Sequence, residues 1–324
     1  MTYKNYSLFK KMLSSIILAL TSISINNVVF AESVEPLRIG FQKYGTLVLL
    51  KGQGTLDKRL SAKGVAVKWT EFPAGPQLLE GLNVGSIDFG TVGEAPPIFA
   101  QAAGADLVYL SNEPAAPKGE AIIVPKLSVI KSVKDLKGKK VALNKGSNVH
   151  YLLVKALEKE GLKYSDIETI FLPPADARAA FERGSVDAWV IWDPFYAAAE
   201  HQLEARKLVD GQGIVSNHQF FLASRSYAEK HPDIIKIIHE ELSKTDAWGK
   251  VHPKEVANLL SKQVGINEPI ITTAVNRLTF GVQPISNEVL VEQQKIADVF
   301  TNLKLIPKAI QVKDSTLKKI KPNN

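Results

Sequence analysis

Leu82-Asn83-Val84-Gly85-Ser86-Ile87-Asp88-Phe89 and Phe181-Glu182-Arg183-Gly184-Ser185-Val186-Asp187-Ala188 read as two copies of one unit. Each copy stops a helical stretch at Gly-Ser, sets an apolar residue before an Asp, and opens a short apolar strand. Gly85 and Gly184 lie 99 residues apart, too far for a solenoid period and about right for one domain. The pair predicts two related α/β lobes.

Working outward, β-branched and apolar runs at 37–41, 65–70, 87–91, 140–143 and 168–172 read as strands. Helical patterns at 77–83 and 150–160 fall between them. Strands alternating with helices imply parallel sheets covered by helices. Beyond residue 227 the pattern turns helical, with segments at 233–247, 253–263, 268–278 and 286–302. The last dozen residues, rich in Lys and Asn, are expected to fray.

The chain has 324 residues, with 45% hydrophobic and 23% charged, the composition of a soluble globular protein with a proper core. It has no cysteine. That excludes disulfides, thiolate zinc sites, iron–sulfur clusters and a cysteine nucleophile. Lys4, Lys10 and Lys11, the apolar run from Met12 to Leu20 and the sequence Val29-Phe30-Ala31 form a secretory signal, with cleavage expected after Ala31. A membrane anchor would need a longer unbroken apolar run. The chain carries a formal charge of +7, and three of those charges leave with residues 1–31, so the mature chain would carry +4. That excess is scattered, unlike the clustered Lys and Arg of a nucleic-acid footprint. With no Cys at the cleavage site, no lipid anchor is expected, and the mature protein would be free in the periplasm as a monomer.

In open α/β sheets ligands sit beyond the carboxyl ends of the strands, beside helix N-termini. Three stretches offer such places: Thr91 to Pro97, Trp192-Asp193-Pro194-Phe195, and Asn144-Lys145-Gly146-Ser147-Asn148-Val149-His150. In the last, Ser147 and Asn148 have donor side chains, and first-turn N–H groups point ahead of the helix. Catalytic signatures fail one by one. There is no Gly-x-Ser-x-Gly elbow. His239-Glu240 has Ser243 where a zinc ligand would follow, and Gly52-Gln53-Gly54 is not a dinucleotide fingerprint. The expectation is a non-enzyme without metal or cofactor, with a secreted hydrolase as the outside rival.

At these residues the sequence resembles the periplasmic aliphatic-sulfonate-binding proteins of ABC importers, within the wider group for sulfonates, taurine, nitrate and thiamin precursors. The matching stretches include residues 71–77, 83–88 and 96–106, Asp135-Leu136-Lys137-Gly138-Lys139, Lys145-Gly146-Ser147, Pro174-Ala175-Asp176-Ala177-Arg178 and Ile191-Trp192-Asp193-Pro194. The resemblance covers nearly all of 36–310. It departs at Asn148-Val149, where a more Ser-rich loop would be expected, and at Glu94, where Asp would be unsurprising.

The resemblance implies an α/β type II periplasmic-binding-protein fold. Lobe one would be 36–118 plus 222–324 and lobe two 119–221, with crossings near 118–122 and 217–222 and the ligand in the cleft. It implies capture of a small organic sulfonate for a membrane permease, in sulfur acquisition. A sulfonate stays anionic, so it needs hydrogen-bond donors and positive potential. Backbone and side-chain groups of Thr91, Gly93, Glu94 and Ala95 in lobe one, and of Ser147, Asn148 and Val149 in lobe two, are expected to hold its oxygens. Arg178 would add a charged contact, or else be a surface residue with Asp176 capping its helix. Gln42 is a donor at the cleft edge. Trp192 and Phe220 would wall the organic tail. Asp193 would accept from a polar tail or cap the next turn. Taurine would call for an acidic partner such as Glu94 or Asp193, while nitrate is too small for an aromatic wall.

Overall fold

The computed structural model describes residues 35–317. The expected signal segment and the last seven residues lie outside these. Chain order begins β1 (Leu37–Phe41), α1 (Thr46–Gln53), α2 (Thr55–Ser61), β2 (Val67–Glu71), α3 (Gly75–Asn83), β3 (Phe89–Gly93), α4 (Pro96–Ala102) and β4 (Leu107–Asn112). It continues β5 (Glu120–Val124), β6 (Lys140–Leu143), α5 (Asn148–Lys159), β7 (Glu168–Phe171), α6 (Pro174–Glu182), β8 (Ala188–Trp192), α7 (Phe195–Leu203) and β9 (Arg206–Asp210). It ends β10 (Gln219–Ser224), α8 (Arg225–Lys230), α9 (Pro232–Val251), α10 (Pro253–Val264), α11 (Glu268–Val275), β11 (Gln283–Pro284) and α12 (Asn287–Asn302).

Two sheets result, in the orders β11-β4-β10-β3-β1-β2 and β7-β6-β8-β5-β9. Read from the other edge, the first runs β2-β1-β3-β10-β4, and the second repeats it strand for strand. In each, three parallel strands are followed by an antiparallel one, β10 or β5, that pairs on its far side with β4 or β9. The sheets are therefore mixed, where helix-strand alternation implied parallel ones. The antiparallel strands are those that follow the passage from one sheet to the other.

The repeated sequence unit does the same work in both. Gly85 and Gly184 take φ of 72° and 68°, the left-handed geometry that stops a helix and favours glycine. The amides of Ser86 and Ser185 then bond back to the carbonyls of Gly81 and Ala180, each at 2.9 Å. Asp88 Oδ2 accepts from Arg38 N and Asp187 Oδ2 from Lys140 N, each at 2.8 Å. Each Asp thus ties the entrance of its own strand to the neighbouring parallel strand.

Residues from Pro36 onward form one compact unit. One core fills the second sheet, around Trp189, Leu143, Leu153 and Tyr196. Another joins β1 to the helices after β10, through Leu37, Leu47, Ile238, Leu260 and Ile271. The passages between sheets run at 113–119 and 211–218, several residues before the expected ones. Gln219–Phe221, expected in lobe two, belong to the first sheet, because β10 pairs with β3 from Gln219 opposite Gly93 onward. The passages lie side by side, with Gly211 N donating to Pro117 O at 2.9 Å and Ala116 N to Ser216 O at 3.1 Å. Of the last dozen residues, expected to fray, 313–317 are held in place: Ser315 is buried and Arg225 donates to the carbonyls of Asp314 and Thr316, while the rest lie outside the described residues.

Candidate functional site

The loops after β1, β3, β6 and β8 meet where the two sheets face one another, at the carboxyl ends of their parallel strands. Two cavities lie there. The inner one is about 20 Å³, lined by Gln42, Tyr44, Thr91, Gly93, Asn148, Trp192 and Asn217 among others. The outer one is about 210 Å³ and mostly apolar, lined by Tyr44, Phe72, Pro73, Pro174, Trp192 and Phe195, with Lys43 and Glu71. Gln42, Tyr44 and Trp192 line both, so a polar pocket opens into an apolar vestibule.

Five of the expected residues, Gln42, Thr91, Gly93, Asn148 and Trp192, come together at the inner cavity. Gln42 Nε2 donates to Thr91 O at 3.1 Å, which fixes the first loop against β3. Gly93 has to be glycine for a steric reason: a Cβ there would lie 2.9 Å from Asn148 Cβ across the cleft. Asn148 Nδ2 donates to Glu120 Oε2 at 2.5 Å and to Asn217 Oδ1 at 3.0 Å, so its amide hydrogens are already engaged. Ser147 holds the N-cap position of α5, which starts at Asn148 and so two residues earlier than expected. Its hydroxyl donates to Asn144 O at 2.7 Å. Val149 packs in the core of the second sheet, and Ala95 is the fully buried N-cap of α4.

The others lie elsewhere. Arg178 Nε donates to Glu182 Oε1 at 2.7 Å along α6, and Arg178 lines neither cavity. Asp176 sits in the first turn of that helix, whose N-cap is Pro173. Asp193 is fully buried just ahead of α7, whose N-cap is Pro194, and its Oδ1 accepts from the first-turn amide of Ala197 at 3.0 Å. Burial pushes its carboxyl up to about 7, against the pull of Arg277 beside it. Phe220 is fully buried, edge-on to Tyr109 at 5.1 Å between ring centres. Glu94 and Phe220 line a third cavity of about 360 Å³ with Tyr151, His218 and Glu292. Glu94 Oε2 accepts from His218 N at 3.2 Å, and burial pushes the carboxyl up to about 7. Glu94 and Phe220, expected in the cleft, line neither of its two cavities, because successive residues of an extended chain point to opposite sides: Gly93 and Gln219 line the inner cavity, and their neighbours Glu94 and Phe220 line the third.

Sequence reasoning missed Tyr44, Glu120 and Asn217. Tyr44 stands in the loop after β1, two residues past Gln42, where the strand-end rule could have found it. Its hydroxyl is buried with no hydrogen-bond partner among the described residues, and burial raises its pKa well above the ordinary tyrosine value. Glu120 is fully buried beside Asn148, and burial together with the Glu94 charge keeps its carboxyl well above the usual range. Asn217 adopts a φ of 53° in the return passage and donates to Ala116 O at 2.9 Å. Among the described residues no group of three or more His, Asp or Glu could hold a metal, and no helix is long and apolar enough to cross a membrane.

The description "NMT1/THI5 like" marks the family profile that matches residues 61–256. A protein of Escherichia coli K12 named for aliphatic sulfonate binding is 47% identical over 296 residues, 91% of this chain and 92% of that protein. The alkanesulfonate-binding protein SsuA of Xanthomonas axonopodis pv. citri, solved bound to MOPS, superposes with a TM-score of 0.84 at 42% identity, over 89% of this chain and 99% of that one. The periplasmic aliphatic sulphonate-binding protein SsuA of Escherichia coli gives 0.79 at 45% identity, over 89% and 94%.

Proposed function

This chain belongs to the NMT1/THI5-like family, and from that premise we propose that it captures aliphatic sulfonates outside the cytoplasm and delivers them to the permease of an ABC importer. It is a binding protein, not an enzyme, as its relatives are by name. The observation that carries the reading is the two-part cleft. A sulfonate head, anionic at every physiological pH, matches the polar inner end beside the first turn of α5. An organic tail matches the apolar vestibule between Phe72, Trp192 and Phe195. Nitrate would leave that vestibule unused, and taurine would set its ammonium in a mostly apolar vestibule whose carboxylate, Glu71, already pairs with Lys43 at 3.7 Å.

The inner cavity has room for about one water. A sulfonate therefore reaches it through parting of the lobes, which close again around the head. The proposed lobes are 36–118 plus 222–324 and 119–221, with β10 shifting the second boundary to the start of Gln219. Gln42, Thr91, Gly93, Ser147, Asn148, Val149 and Trp192 are retained as proposed contacts, the first-turn main-chain N–H groups of α5 carrying those of Asn148 and Val149. Tyr44 joins them. Export with cleavage after Ala31 completes the proposal, supported by the basic start, the apolar run and Val29-Phe30-Ala31.

The test is a thermal-shift panel on the mature protein. A ligand that binds only the folded state raises its stability. Millimolar hexanesulfonate and related alkanesulfonates should raise Tm. A rise with nitrate or taurine and none with alkanesulfonates would overturn the reading.

A further inference from the structure

Helix α11 has one face in the core of the first lobe, through Ile271 and Val275. Its other face meets α7, which follows β8 of the second lobe, burying Ile270 and Ala274 against Ala197 and Ala198. Just past the end of α11 stands Arg277, whose guanidinium makes its hydrogen bonds, ion pairs and ring contact with residues of the second lobe. Nη1 lies 3.3 Å from Asp193 Oδ1, Nη2 lies 2.5 Å from Glu200 Oε2, and the guanidinium sits 4.0 Å from the centre of the Tyr196 ring. Its side chain is only 17% exposed and that of Asp193 not at all.

Asp193 directly follows Trp192, one of the three residues common to both cavities of the cleft. We propose that Arg277 is a positioning residue that clasps the two lobes together and holds the Trp192–Asp193 corner over the cleft, without touching the ligand itself. The inference rests on the reading that the ligand sits between Gln42, Tyr44 and Trp192. Its physical basis is the planar fork of guanidinium, which reaches two carboxylates and stacks on a ring at once, as an ammonium cannot. Parting the lobes breaks all three contacts together and leaves Asp193 without its cation. The clasp therefore sets how much of the population is closed, and apparent affinity scales with that fraction.

Arg277→Met, Arg277→Lys and the parent are compared by solution X-ray scattering without ligand, by calorimetric titration with hexanesulfonate, and by Tm. Arg277→Met should show a larger ligand-free radius of gyration that contracts to the parent's at saturating hexanesulfonate. Its Kd should weaken about tenfold or more, as expected when the competent fraction falls by that factor. Arg277→Lys should fall between. A ligand-free radius and a Kd both matching the parent's would overturn the clasp. Failure of the parent itself to bind hexanesulfonate would instead overturn the sulfonate reading, while the ligand-free scattering would still judge the clasp. If Arg277→Met does not fold, Glu200→Gln decides by the same measurements: a smaller change in the same direction supports the clasp, and none overturns it.

Discussion

The buried carboxyl groups of Glu113 and Asp246 meet at a single hydroxyl. Thr46 Oγ1 lies 2.5 Å from Glu113 Oε1 and 2.6 Å from Asp246 Oδ1. One hydroxyl hydrogen can serve only one of them, so the other contact needs a protonated carboxyl donating to Thr46. Asp246 Oδ2 already accepts from the amides of Gly281 and Val282, which favour its ionised form. Glu113 is the proton holder, with burial, then the Asp246 charge, pushing it up to about 8.

A carboxyl raised in the folded state gives stability that is present below its unfolded value near 4.5 and lost as pH rises toward 8. Glu113→Gln removes that titration while keeping a donor for Thr46. Parent and variant should therefore diverge between pH 5 and 8, the parent losing stability relative to the variant as pH rises. Parallel denaturation curves across that range would refute the shared proton.

His150 works in the opposite direction. Its Nδ1 accepts from Gly146 N at 3.2 Å, so the neutral ring carries its hydrogen on Nε2, 2.8 Å from the Tyr164 hydroxyl. The ring packs against Phe99 and Phe300, 6.0 and 5.4 Å between centres. Burial, then the Lys145 charge, lowers it to about 4. A depressed histidine gives stability present above 6.5 and lost as pH falls toward 4. The advantage of the parent over His150→Gln should shrink by about 2–3 kcal/mol between pH 7 and 4.5. Chemical denaturation at both pH values measures it, and an unchanged gap would exclude the neutral-ring assignment.

Tyr44→Phe separates ligand contact from structure. An unpartnered buried hydroxyl costs stability, so the ligand-free variant should be as stable as the parent or more so. If the hydroxyl donates to the sulfonate, a hydrogen bond to a charged group worth about 1.5–3 kcal/mol is lost, and Kd for hexanesulfonate weakens at least about tenfold. Equal affinity in both proteins would remove Tyr44 from the site.

The two-lobe plan was legible because the Gly-Ser-x-Asp unit encodes a local device: a left-handed glycine and an Asp that binds a strand amide. Both copies use it identically at Arg38 and Lys140. That Gln42, Thr91, Gly93, Asn148 and Trp192 would gather at one cavity was legible through the strand-end rule. What escaped was set by partners distant in sequence. Nothing near Glu94 announces that Gly93 takes the cleft position and turns the carboxyl toward His218. Arg178 is the exception: its partner Glu182 stands four residues on along the same helix, a local i,i+4 signal that was overlooked. Glu120 and Asn217 matter only because Asn148 reaches them across 28 and 69 residues. The antiparallel strands were missed because a strand's direction depends on the passage before it, and local pattern does not carry it.

The seat of β10 constrains the order of assembly. Among the described residues β4 pairs only with β10 and β11, both of which come after the second lobe in the chain. The second sheet, by contrast, is built wholly from strands between Glu120 and Asp210. A chain threaded from its N-terminus can thus complete the inserted lobe first. The outer lobe stays an unfinished sheet, with β4 stranded, until residues past 218 arrive to bridge β3 to β4.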